Sequence, residues 1–121
     1  MEKILKSTSF SIDVFNAWCH YTNDFGDFCK IANNFNAEIG NENVSGKCIW
    51  IQNEQGISKF LIGCFNGCDS TLAHECTNAA LFIFQKINER VYYDSEAFPH
   101  LVGTLFNKCK QVEHELNRGK V

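Results

Sequence analysis

His74 and Glu75 stand side by side, and Asn78 follows four residues after the histidine. Positions four apart share one face of an α-helix. With histidine at both, two imidazoles converge on one metal ion. The glutamate after the first histidine is then placed as general base for the metal-bound water. This chain reads His-Glu-x-x-Asn instead. An amide oxygen is a far weaker zinc ligand than imidazole, so zinc affinity is expected to fall by orders of magnitude unless another side chain replaces the missing one.

Glu96 follows in a later capping segment, and His100 comes four residues after it. On a regular helix these two share a face, so His74, Glu96 and His100 make one candidate ligand set. Pro99 suits a first helical turn, yet it also bears on whether that helix is regular at Glu96. The plainer alternatives are a partly exposed charge pair for His74–Glu75 and a surface or satisfied core histidine for His100. Cys76 lies on the same helix, and a catalytic thiol there would need His20 or His114. Cys64 and Cys68 have no second cysteine pair at zinc-ribbon spacing.

These residues need elements to hold them. Phe10, Ile12, Val14 and Phe15 alternate roughly with Ser11 and Asp13, which predicts a strand. Thr22-Asn23-Asp24 is a helix-start cluster, and Phe25, Phe28, Ile31, Ala32 and Phe35 follow at helical spacing. Residues 47–52 and 57–65 read as two strands joined by Asn53-Glu54-Gln55-Gly56, a hairpin. Asp69 or Ser70 is a good N-cap for the longest helix, whose apolar positions run from Leu72 to Ile87. Asp94-Ser95 caps a last helix carrying Leu101, Val102, Leu105, Phe106 and Cys109. The expected order is β-α-β-β-α-α: an α+β domain of about three strands packed against three helices.

The 121 residues predict one domain, 1–121, with a single core. Eleven phenylalanines must mostly be buried. A net charge of −3 argues against nucleic acid, whose binders carry a basic stripe. Trp18, Trp50 and Tyr92-Tyr93 are accordingly expected to pack, not to stack on bases. Seven cysteines, an odd number, and no apolar leader after Met1 predict free thiols in the cytoplasm. No apolar run approaches membrane-spanning length, so no membrane is expected.

From about residue 60 to 106 the chain resembles the small zincin-like, metallopeptidase-like proteins of bacteriophages and prophages. The matching segments are Leu72-Ala73-His74-Glu75-Cys76 and the run from Asp94 to Phe106, Asp-Ser-Glu-Ala-Phe-Pro-His-Leu-Val-Gly-Thr-Leu-Phe. The resemblance implies His74 as first metal ligand, Glu75 as base and Glu96 as third ligand, with Asn78 at the degenerate position. It leads us to expect a pseudoenzyme without a cofactor, a domain that keeps the scaffold and binds another protein. By the same resemblance that partner would be a host or defence component. The alternative is an active zinc hydrolase whose ligand set has drifted to include His100.

Overall fold

A computed structural model describes residues 7–12, 17–37, 39, 44–52, 58–87 and 96–118. Four strands and three helices follow in the order β1 (Ser7–Ile12), β2 (Ala17–Thr22), α1 (Phe25–Asn34), β3 (Gly46–Gln52), β4 (Ser58–Cys64), α2 (Asp69–Lys86) and α3 (Ala97–Arg118). The class is α+β. The sheet order is β1-β2-β4-β3, with β1 antiparallel to β2, β2 parallel to β4, and β3 antiparallel to β4.

The strand count differs from the pattern by one. β2 escapes the alternation rule because its outward positions carry large or aromatic groups. Ala17, Cys19 and Tyr21 are fully buried, while Trp18 between them is 45% exposed and His20 is partly buried. The proposed hairpin is present as the β3–β4 pair, and its connection at 53–57 lies outside the described residues. The predicted cap at Asp94-Ser95, Tyr92-Tyr93 and Gly40 also lie outside them.

Alternation along β4 builds three layers. Phe60, Ile62 and Cys64 face α2 and α3 within the main core, with Leu72, Cys76, Ala79, Ile83, Leu101, Leu105 and Cys109. Leu61 faces the other way, where Phe28, Ile31 and Ala32 of α1 cover it. Asp24 caps α1 by accepting from the Asp27 amide at 2.9 Å.

Helices α2 and α3 run antiparallel. Phe98, at the start of α3, packs edge-on against Phe84 near the end of α2, with ring centroids 5.4 Å apart. At the other end Lys110 pairs with Asp69 at 3.1 Å. These two contacts fix which turn of one helix meets which turn of the other.

Candidate site between β3 and α2

Helix α2 begins one residue earlier than its capping chemistry suggests. Cys68 occupies the N-cap in extended conformation and makes no side-chain cap. The Asn66 side chain organises the turn instead: its Oδ1 accepts from the Cys68 amide at 3.0 Å, and its Nδ2 donates to Thr71 Oγ1 at 2.9 Å. Gly67 between them has φ +72°, a left-handed conformation that glycine adopts without strain.

The stripe Thr71, Glu75, Asn78 and Phe82 recurs at helical spacing, and each of its members has a neighbour on β3 or within the helix. A Cβ on Gly46 would stand 2.7 Å from Thr71 Cγ2 and 3.1 Å from Glu75 Cγ, so only glycine lets the helix come this close. Farther along, Trp50 lies 6.1 Å from Phe82 between ring centroids. Burial raises the Cys48 thiol well above its ordinary range, and the Glu75 charge nearby adds to that shift.

Glu75 is held in this seam, only 7% exposed. Its Oε1 accepts from Asn78 Nδ2 at 3.2 Å. His74, one residue earlier, is exposed, and Asn78 is partly buried. His74, Glu75, Thr71 and Ser70 of α2 meet Ser45 and Gly46 of the β3 entry around a surface cavity of about 350 Å³. The sequence pattern had singled out only the first two of these. No motif marks Gly46 or Ser45, whose role follows from the packing of α2 on β3.

The outer side of β3 adjoins this cavity. The Phe65 amide donates to Ser45 O at 2.8 Å, so Ser45–Phe65 is a hydrogen-bonded pair. Alternation then makes Lys47–Gly63, Ile49–Leu61 and Ile51–Lys59 hydrogen-bonded pairs as well. The backbone N–H and C=O groups of Gly46, Cys48 and Trp50 therefore point away from β4. Among the described residues no strand pairs with that edge.

The candidate metal ligands do not converge. His74 and Asn78 share a face of α2, but Glu96 lies two residues before Phe98, which meets Phe84. Ten residues of helix separate His74 from Phe84, about 15 Å at 1.5 Å per residue. Glu96 and His100 are both exposed at that far end. The set of His74, Glu96 and His100 thus gives way to a divided arrangement, because an antiparallel helix pair puts the start of α3 beside the end of α2. Among the described residues, no group of three or more His, Cys, Asp or Glu side chains is arranged to hold a metal ion.

The other thiol and histidine candidates separate too. Cys76 is fully buried and its thiol is hydrogen-bonded with that of Cys109, whereas His114 is exposed on α3 and His20 lies on the opposite face of the sheet. All seven cysteines are free thiols. Cys64 is buried, with Sγ 3.5 Å from the Cys68 carbonyl, while Cys68 is exposed. A separate polar assembly escaped the pattern: Tyr21 donates to Glu113 Oε2 at 2.6 Å, and Lys110 donates to Glu113 Oε1 at 3.0 Å. Burial, followed by the Glu113 hydrogen bond and charge, pushes the Tyr21 phenol far above its usual range.

No protein-family model matches the chain, and no curated protein or solved structure is significantly similar to it. Among the described residues no helix is long and apolar enough to cross a membrane.

Proposed function

We propose that this chain is a protein-binding module that takes an extended segment of another protein along the outer edge of β3. The scaffold is read as zincin-like in plan, with the chemistry of the metal site given up and the cleft beside it kept for binding. One observation carries this reading: the outward backbone groups of Gly46, Cys48 and Trp50 run beside the His74–Asn78 face of α2. An unpaired strand edge offers its donors and acceptors to an added strand. The adjoining helix face then supplies side-chain contacts that backbone pairing alone lacks. The Glu75–Asn78 bond supports the loss of catalysis, since it engages the would-be base with the residue standing in the second ligand position.

The test uses acetylated, amidated heptapeptides that alternate threonine and valine and vary the central residue through every amino acid. Amide hydrogen exchange is read at β3. On binding, the amides of Gly46, Cys48 and Trp50 should become protected, while those of Lys47 and Ile49, already bonded to β4, should change little. If no peptide of the panel protects the outward amides, or if protection appears on β1 instead, this reading is wrong.

A further inference from the structure

The geometry points to a cation-binding subsite under that edge, in which the Glu75 carboxylate is the counter-ion for a lysine ammonium or arginine guanidinium of the bound segment. The identity of the ligand as a peptide rests on the edge-strand reading above; the chemistry of the cavity does not.

A carboxylate withdrawn from water is costly unless it is paired. Glu75 is 7% exposed, and among the described residues its hydrogen-bond donor is a neutral amide, that of Asn78. Its cavity of about 350 Å³ is otherwise lined by Ser45, Gly46, Ser70, Thr71 and His74, so among the described residues no lysine or arginine lines it. Lys110, near the start of α2, is already paired with Asp69 at 3.1 Å and Glu113 at 3.0 Å. The three hydroxyl groups can accept hydrogen bonds from an ammonium or guanidinium. The positive end of the α2 dipole fades within its first turn, and Glu75 stands in the second turn.

The register says which residue of the segment would reach the cavity. Side chains directly opposite each other in a strand pair point to the same face. Those of Cys48 and Trp50 point toward α2, and a Cβ on Gly46 would do the same. A residue opposite Gly46 or Cys48 on an added strand therefore projects over Glu75.

Two measurements separate this inference from the one it builds on. n-Butylammonium, a lysine side chain without a backbone, should shift the amide resonances of Gly46, Thr71 and Glu75, whereas n-butanol should not. Glu75→Gln, which keeps the shape and one acceptor oxygen for Asn78 but removes the charge, should abolish the butylammonium shifts. In the heptapeptide panel, central lysine and arginine should bind about tenfold tighter than central norleucine, and Glu75→Gln should erase that preference. Outward-amide protection by peptides regardless of their central residue would keep the edge reading and overturn the subsite. Shifts that persist in Glu75→Gln would also overturn it. Butylammonium shifts lost in Glu75→Gln, with no peptide bound, would uphold the subsite and defeat the edge reading.

Discussion

The Asn78 side-chain amide reaches back one turn of α2 and donates to the Glu75 carboxylate across 3.2 Å. The bond joins two of the three positions that the His-Glu-x-x-Asn pattern singles out. Glu75 is turned into the seam with β3, and His74 is left exposed beside it.

Asn78→His should create a two-imidazole face, because positions 74 and 78 stand one turn apart whatever α3 does. Zinc affinity measured by calorimetry should rise at least about tenfold over that of the natural chain. Adding Glu96→Gln to that variant should leave the affinity unchanged, since Glu96 sits at the far end of the helix pair. A marked loss on adding Glu96→Gln would mean that α3 can bring this carboxylate to His74.

Gly46→Ala should destabilise the fold by about 1–3 kcal/mol, the usual cost of overpacking. The new methyl would meet Thr71 Cγ2 at 2.7 Å and the Gly63 carbonyl at 3.0 Å. Thr71→Ser removes the first obstacle, so the double variant should recover part of the loss. Urea denaturation of the four proteins measures this coupling, and strict additivity would contradict the close approach of α2 to β3.

Tyr21→Phe should cost about 1–3 kcal/mol in urea denaturation. It removes a buried donor and leaves one oxygen of Glu113 without its phenol partner. The matched change Glu113→Gln keeps an acceptor oxygen for Tyr21 and gives up only the partly exposed pair with Lys110, so it should cost less. Equal stability of Tyr21→Phe and the natural chain would show that the bond contributes nothing.

Alkaline pH should unfold the protein sooner than neutral pH. Burial pushes the Cys19 thiol from 9.0 up to about 12, with the Cys76 thiol adding to it. The Cys109 thiol is raised as well, by its hydrogen bond to Cys76 and then by burial. A group whose folded value is raised stays protonated in the fold but ionises in the unfolded chain, so above the unfolded value folding must take up a proton. Its contribution is complete below pH 9.0 and is lost as pH rises toward about 12. Each such group steepens the decline by up to about 1.4 kcal/mol per pH unit. Denaturation midpoints should therefore fall across this window, and less steeply in Cys19→Ala. A flat profile would place these thiols in contact with solvent.

The residues of α2 declared their helix unaided. Leu72, Cys76, Ala79, Ala80, Ile83 and Phe84 repeat at the helical period, and the shared face of His74 and Asn78 follows from spacing four. The start of α1 was equally plain in Asp24, as was the pairing of the two runs that became β3 and β4. All of these depend on neighbours a few residues apart. Strand β2 was hidden because its outward side carries Trp18 and His20, so hydrophobicity alone does not distinguish its two faces. The separation of Glu96 from His74 was hidden for a different reason. Nothing local sets the sense in which α3 returns along α2; that is decided where Phe98 meets Phe84 and Lys110 meets Asp69. The same holds for the edge position of β3, which depends on β2 pairing in parallel with β4 across the intervening α1 and β3. Local periodicity determined the helices and the chemistry each could carry; long-range packing decided which of those groups face one another.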